Sequence, residues 1–339
     1  MKLILDGMGG DNAPDDVVKG AIEAARELKN DDIIIVGKKN LLEDSINLNK
    51  DVPANINVYD AAEVIETGEP PVKAVRQKKE SSIVKGLELI RDGQGDVFIS
   101  AGNTGALLAG GLFILKRIEG IDRPSLCAIY PVIGMEPSLF TDCGANAECK
   151  PKNLLEFAIM GSIYMEKVLG RENPTVGLVN NGTEVGKGTA LTKEAYEYIS
   201  KSGVNFIGYI EARDIPNGAC DVIVTDGFTG NSIIKLTEGM GIMFMREMKR
   251  RFTSTTKSKF GALLLKSQLS GIKKEFNYAE YGGAPILGVK GNLIKMHGSS
   301  DPLAVKQTIL KATDYVNGKV TQIISESIGN IESISSQGK

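Results

Sequence analysis

Residues Asp6–Pro14 read Asp-Gly-Met-Gly-Gly-Asp-Asn-Ala-Pro and follow directly on the apolar run Leu3–Leu5. This apolar run predicts a short buried strand, and the three glycines after it allow a ligand to approach the main chain closely. A helix beginning near Pro14 would point its first N–H groups back toward the same loop, which favours an anion there. The stretch therefore predicts a strand–loop–helix unit with an anion-binding loop.

The composition is that of an ordinary globular protein. The 339 residues are 42% apolar and 24% charged, with a formal net charge of −2. This length favours one large α/β domain over residues 1–339, and the low net charge gives no general attraction to nucleic acid. The four cysteines show no close pairing and no signal-peptide pattern is present, so we expect a cytoplasmic protein. With His297 as the only histidine, we expect no metal and no cofactor.

Short apolar runs alternate with helical periodicity along the chain. This alternation predicts βαβ units and a three-layer αβα sandwich with a mostly parallel sheet. We interpret the uncharged stretch at 97–115 as a strand, a turn and a helix, because its glycine, serine and asparagine residues do not suit a membrane span. The predicted strands are Leu3–Leu5, Ile33–Val36, Ile56–Val58, Val97–Ile99, Leu126–Tyr130, Leu139–Thr141, Val176–Val179, Phe206–Tyr209, Val222–Val224 and Leu293–Met296. The predicted helices are Val17–Leu28, Val72–Lys79, Ile83–Arg91, Ala106–Leu115, Asn153–Leu169, Thr192–Ser200, Ser232–Arg251 and Pro302–Ile328.

A basic and partly apolar segment interrupts this pattern. Between residues 246 and 274 there are nine Lys or Arg residues against one acid, Glu247. We predict a helical excursion from the sheet at about 239–280. Two interpretations remain open: a dimer interface or solvated hairpin, and a surface for an acidic protein or an anionic bilayer. The candidate contact residues are Arg250, Arg251, Lys257, Phe260, Leu263, Leu264, Lys273 and Lys274.

Loops of similar composition follow five further predicted strands. Parallel α/β sheets carry their ligand sites at the carboxyl ends of strands, so we expect these loops and Asp6–Pro14 to form one shared site. Their glycines and amides supply neutral donors, and Lys150, Lys187 and His297 supply positive charge. Such a set suits a phosphate and a developing oxyanion. The five loops are Ser100–Gly105, Asp142–Lys150, Asn180–Gly188, Thr225–Asn231 and His297–Asp301.

Two familiar nucleotide motifs are absent. The stretch Gly182–Thr189 resembles a phosphate-binding P-loop, but that motif needs Gly at Asn181 and Ser or Thr at Gly188. The third glycine of a dinucleotide fingerprint would fall on Asn12. These departures disfavour a nucleoside triphosphatase and an ordinary NAD enzyme.

Taken together, these segments resemble the bacterial phosphate acyltransferases of phospholipid synthesis. The resemblance implies that the chain converts acyl-acyl carrier protein and inorganic phosphate into acyl phosphate, which a membrane glycerol-3-phosphate acyltransferase then uses. It also implies a fold similar to that of phosphotransacetylases and isopropylmalate dehydrogenases, a homodimer, an acidic carrier-protein partner and peripheral membrane association. The segments that carry it are Asp6–Pro14, Ser100–Gly105, Asp142–Asn153, Asn180–Gly188, Thr225–Asn231, Tyr281–Gly288 and His297–Asp301.

This reaction needs no covalent acyl-enzyme, because phosphate attacks the thioester directly and a thiolate leaves readily. The protein would position the substrates and stabilise an oxyanion. The catalytic candidates are Lys187, His297, Lys150 and Asn231. The substrate-binding candidates are Asp6, Gly9, Gly10, Asn12, Gly102, Asn103, Thr104, Asp142, Asn146, Asn181 and Glu184. The competing interpretation of the lysines is a salt bridge that fixes a loop. The competing functions are a coenzyme A phosphotransacetylase, another enzyme of this fold, or a membrane-bound scaffold.

Overall fold

The computed structural model describes residues 1–265 and 282–328 and contains one sheet of eleven strands. Their order across the sheet is β3-β2-β1-β4-β11-β10-β5-β6-β9-β7-β8. The strands are β1 (Lys2–Asp6), β2 (Asp32–Gly37), β3 (Ile56–Asp60), β4 (Val97–Ser100), β5 (Ser125–Tyr130), β6 (Ser138–Thr141), β7 (Thr175–Val179), β8 (Asn205–Ile210), β9 (Val222–Val224), β10 (Ala284–Leu287) and β11 (Leu293–Lys295).

Helices cover both faces of this sheet. Successive residues of β1 divide between two buried clusters, with Leu3 and Leu5 in one and Ile4 in the other. The predicted three-layer sandwich is therefore confirmed. The helices are α1 (Asp15–Glu27), α2 (Lys39–Asn47), α3 (Pro71–Gln77), α4 (Ser82–Arg91), α5 (Thr104–Gly110), α6 (Pro151–Leu169), α7 (Ala190–Ser200), α8 (Gly227–Phe252), α9 (Thr256–Leu264), α10 (Pro302–Asn317) and α11 (Val320–Ser327), with a π-helical turn at Gly111–Leu115 and a 3₁₀ turn at Ile215–Asn217.

The direction of the strands reverses within the sheet. Seven of the ten described strand pairings are parallel. The pairings β11–β10, β10–β5 and β5–β6 are antiparallel, so β6, β9 and β7 run opposite to β1, β4 and β11. We call the edge where β1, β4 and β11 end the upper edge, and the edge where β6, β9 and β7 end the lower edge. The loops that follow the two sets of strands consequently lie at opposite edges.

The ten predicted strands are all present, and the last one ends a residue early, at Lys295. The prediction missed β10, whose sequence Ala-Pro-Ile-Leu follows two glycines, and the amphipathic helix α2. The helix predicted at Pro302–Ile328 is divided into α10 and α11, because Lys319 adopts φ +50° between them. The helix predicted from Ser232 begins at Gly227, because the Asp226 side chain caps it at the backbone N–H of Thr229, 2.9 Å away.

The predicted basic excursion is formed by α8 and α9 in the described part of the chain. The buried residues of α8 are Gly227, Gly230 and Ile234, so its second half leaves the sheet. Helix α9 packs against it and has no buried residue. We call the second half of α8 together with α9 the tip. Lys273 and Lys274 lie outside the described residues. Within the described ranges, no helix is both long enough and apolar enough to span a bilayer.

Candidate active site

Three loops pack against each other at the upper edge, at 6–14, 100–105 and 297–301. The backbone N–H of Asp11 donates to the carbonyl of Gly298 at 2.7 Å. A Cβ on Gly9 would lie 2.4 Å from the backbone nitrogen of Gly102, and Gly10 has φ +111°. Only glycine allows main chains to approach this closely. The predicted proximity of these loops is thus present in the structure.

A buried acid and a half-buried lysine lie beneath the upper loops. Asp6 is 1% exposed and accepts hydrogen bonds from the Ser100 hydroxyl at 2.6 Å and the Met8 N–H at 3.1 Å. Burial raises the pKa of Asp6 despite these bonds. Lys295, at the end of β11, donates to the carbonyls of Ala101, at 3.1 Å, and Met296. Burial lowers the pKa of Lys295 to about 8.

The sequence prediction missed Lys295. The available signal was a lysine inside an apolar strand, two residues before His297. A lysine side chain at such a position can point into the fold or out of it, since side chains alternate between the two faces of a strand.

The pH dependence of stability tests the partial burial of Lys295. Because its pKa in the folded chain, about 8, lies below its usual value of 10.5, the folded state loses this proton first as pH rises. Wild-type stability therefore gains from this group between those two pH values. The Lys295→Met variant lacks this gain. In urea titrations its free energy of unfolding, relative to that of wild type, should therefore fall by about 1–3 kcal/mol between pH 7 and pH 10. A Lys193→Met control, at an exposed position, should show no such fall. A constant difference for Lys295→Met would contradict the prediction.

His297 is exposed at the rim of the upper loops. Its Nδ1 accepts the backbone N–H of Ser299 at 3.2 Å and lies 2.8 Å from the Ser299 hydroxyl. A neutral ring with an accepting Nδ1 carries its proton on Nε2. The geometry therefore fits the predicted role of His297 as a donor, with Nε2 as the donating atom.

The amide side chains of the upper loops are held by protein groups. The Asn103 amide oxygen caps α5 at Ala106, and its nitrogen donates to the carbonyls of Glu66, Thr67 and Glu69. The exposed Asn12 bonds to Asp16 at 2.8 Å. Thr104 is the first residue of α5. Ligand binding by Asn12, Asn103 and Thr104 stays a prediction, and the contacts of Asn103 favour a structural role.

A second cluster of loops lies at the lower edge and is organised by Asp142. This carboxylate is fully buried and accepts four backbone N–H groups and the Asn146 amide, and burial raises its pKa. The Asn146 amide also donates to the carbonyl of Pro124 at 2.7 Å. The four backbone donors are Leu126, Gly144, Ala145 and Asn146, at 2.7–3.2 Å. The loop is consequently fixed by its own acid.

The first turn of α8 packs on this fixed loop. The N–H of Gly227 donates to the Asn146 carbonyl at 2.8 Å. A Cβ on Gly230 would lie 2.0 Å from the Asp142 carbonyl oxygen. The exposed Asn231 faces Gly144, with its side-chain atoms 3.9 Å from the position of a Gly144 Cβ. The structure thus brings Asp142, Asn146 and Asn231 together, as predicted.

Two predicted catalytic lysines lie at the same edge. Lys187 is 52% exposed, and its Nζ lies 2.8 Å from Oε1 of Glu184, which is 64% exposed. The hydrogen bond from Lys187 lowers the pKa of Glu184. Lys150 is exposed at the start of α6 and forms no ion pair within residues 1–265 and 282–328. Asn181 is exposed in the loop after β7. An exposed ion pair contributes little to stability, so Lys187 is available to another anion.

The prediction that all six loops share one site was wrong for a single chain. The loops after β1, β4 and β11 lie at the upper edge, and those after β6, β7 and β9 lie at the lower edge. The cause is the run of three antiparallel pairings through β10 and β5. The four catalytic candidates are divided accordingly, with His297 above and Lys150, Lys187 and Asn231 below.

Comparisons with known proteins agree with this architecture. Residues 1–323 match a family model described as "Fatty acid synthesis protein". The chain is 50% identical over 328 residues to a phosphate acyltransferase of Clostridioides difficile, covering 97% of this chain and 96% of that protein. It is 51% identical over 334 residues to a phosphate acyltransferase of Alkaliphilus oremlandii, covering 98% of each.

Solved structures with low sequence identity share the fold. A phosphotransacetylase from Streptococcus pyogenes superimposes with a TM-score of 0.59 at 17% identity, covering 93% of this chain and 94% of that one. The EutD phosphotransacetylase from Staphylococcus aureus gives 0.58 at 16% identity, with the same coverages. The predicted enzyme class, an acyltransferase, is confirmed by the sequence relatives. The chain therefore belongs to the phosphate acyltransferase family of fatty acid synthesis proteins.

Proposed function

We propose that this enzyme transfers a fatty acyl group from acyl-acyl carrier protein to inorganic phosphate at the lower-edge cluster. The observation that carries this proposal is the fixed loop around Asp142, which meets the first turn of α8. Strand β9, which leads into α8, lies between β6 and β7, whose following segments carry Lys150 and Lys187. A rigid polar loop with accessible cations suits a dianion whose attack needs positioning rather than a base.

The reaction balances without a covalent acyl-enzyme. A phosphate oxygen attacks the thioester carbonyl carbon, and the bond from that carbon to sulfur breaks. The thiolate leaves and takes a proton from solvent, and acyl phosphate remains. In this scheme Lys150 and Lys187 hold the phosphate, and the amide of Asn231 donates to phosphate or to the developing oxyanion.

Accessible positive charge favours the lower edge for phosphate. Lys150 and Lys187 are exposed there, whereas Lys295 at the upper loops already donates to the carbonyls of Ala101 and Met296. The upper loops, with His297 and Lys295, remain candidates for binding the rest of the substrate.

Donor preference decides between the two enzymatic functions. The purified chain with acyl-acyl carrier protein and inorganic phosphate should yield acyl phosphate, which hydroxylamine traps as a hydroxamate. The similarity in fold to phosphotransacetylases favours coenzyme A as the alternative donor. Faster turnover with acyl-coenzyme A would establish that function instead, and no hydroxamate from either donor would leave a non-enzymatic scaffold.

The partners also belong to this proposal. We infer a cytoplasmic homodimer that meets the membrane peripherally and passes acyl phosphate to a membrane glycerol-3-phosphate acyltransferase. The tip supports the membrane contact, because Phe260, Leu263 and Leu264 are each about two-thirds exposed and the preceding end of α8 carries Arg250 and Arg251. Apolar side chains flanked by cations suit the interface of an anionic bilayer.

Replacing Leu263 and Leu264 with Asp should abolish most binding to vesicles of anionic phospholipid in a flotation assay. The two acids would have to enter the acyl boundary, and they also repel anionic headgroups. Because α9 buries no residue, the melting temperature should stay at the wild-type value. Flotation equal to that of wild type would eliminate this part of α9 as the membrane contact.

A further inference from the structure

A basic depression lies outside both loop clusters, between α3, α4 and the π-helical turn. Its volume is about 380 Å³, and its floor is formed by Val75, Val84 and Ile114. Four cations and one acid surround it. The charged lining residues are Arg76, Lys79, Arg91, Lys116 and Glu88.

Three of these cations are without a carboxylate partner in the described ranges. Glu88 is shared between Lys85, at 3.5 Å, and Arg91, at 3.7 Å. Arg76 lies over the ring of Phe113, 5.2 Å from its centroid, and Lys79 donates to the Val75 carbonyl. Like charges around one concavity repel each other, so an external anion is favoured there.

Lys116 adds an independent observation. Its backbone has φ +69° and ψ 167°, a region that is essentially restricted to glycine. A lysine there strains the main chain, whereas glycine would not. The strained residue is one of those that line the depression.

The depression is connected to the lower-edge cluster. The loop that begins at Lys116 ends at Pro124, whose carbonyl accepts the amide of Asn146. One short loop therefore links the depression to the lower-edge cluster. Most of α8 separates the tip from the same cluster, since Arg250 lies about 28 Å along that helix from Asn231.

The geometry points to this depression, lined by Arg76, Lys79 and Lys116, as the docking surface for the acidic carrier protein that presents the acyl thioester. The inference rests on the proposed function. The cations meet carboxylates of the carrier protein, and the half-exposed ring of Phe113, which also lines the depression, offers an apolar contact. The tip is then left for the membrane.

Charge reversal tests the surface. Arg76→Glu combined with Lys79→Glu should lower kcat/KM for acyl-acyl carrier protein about tenfold or more at low salt, with a smaller loss at high salt. Turnover of the same acyl group on N-acetylcysteamine, a small thiol, should stay within about twofold of wild type. The matched control is Lys193→Glu with Lys201→Glu, which changes the net charge equally at one exposed position of α7 and one directly after it, and should affect neither donor.

A Lys116→Gly variant separates docking from folding. Relief of the strained backbone should raise Tm, while kcat/KM for the carrier-protein donor falls about twofold to fivefold. Unchanged use of the carrier protein by the double variant, or an equal loss with both donors, would overturn the docking surface alone. A wild-type enzyme that turns over only the small thioester would overturn the proposed donor as well.

Discussion

The rate of acyl phosphate formation is expected to fall about 100-fold to 1,000-fold in a Lys187→Ala variant. In the free enzyme Lys187 forms only a half-exposed ion pair with Glu184, so its ammonium can turn to an incoming phosphate. Removing a cation that binds the attacking dianion weakens the transition state far more than the fold. Initial rates from hydroxamate trapping, with phosphate varied, measure the effect.

The controls for Lys187 use neighbouring charges. Loss of the exposed pair should lower the free energy of unfolding by no more than about 1 kcal/mol, so the variant should remain folded. Lys187→Arg should recover part of the rate, and Lys193→Ala, at an exposed position of α7, should retain all of it. Turnover of Lys187→Ala within twofold of wild type would assign the lysine to the loop rather than to the reaction.

Local sequence patterns predicted the elements of this fold but not the reversal at its centre. Apolar runs such as Leu3–Leu5 indicate buried strands directly, and the loops after them indicate parallel units. Strand β10 carries Pro285 after two glycines, which is typical of a turn, yet it pairs with both β11 and β5. Pairing partners distant in sequence are not encoded by periodicity, so the prediction of one shared site failed there.

Two individual residues also differ from the sequence prediction, because contacts distant in sequence decide their surroundings. Lys295 looks like any surface lysine until β11 is inserted between β4 and β10, which leaves the residue half-buried and lowers its pKa. Asn103 follows a strand and precedes a helix, where a ligand-binding amide and a helix cap have the same sequence. The structure shows the cap, with the amide nitrogen directed to the 66–69 backbone.

Gly230→Ala is expected to lower the free energy of unfolding by about 3 kcal/mol and turnover about 100-fold. The new Cβ would lie 2.0 Å from the Asp142 carbonyl oxygen. Asp142 cannot move away, because four backbone N–H groups hold its side chain. The start of α8 must therefore shift, and Asn231 shifts with it. Urea denaturation and hydroxamate trapping on the same preparation measure both effects.

The same helix supplies the matched control. Gly239 has no atom within 4 Å of its Cβ position, so Gly239→Ala should raise the free energy of unfolding by about 0.5–1 kcal/mol and leave turnover unchanged. The two substitutions add the same methyl group to α8, and only the one at Gly230 meets the loop around Asp142. Turnover of both variants at the wild-type rate would show that the contact between α8 and that loop does not position the reacting groups. The main structural argument for the lower-edge cluster as the reaction centre would then be wrong.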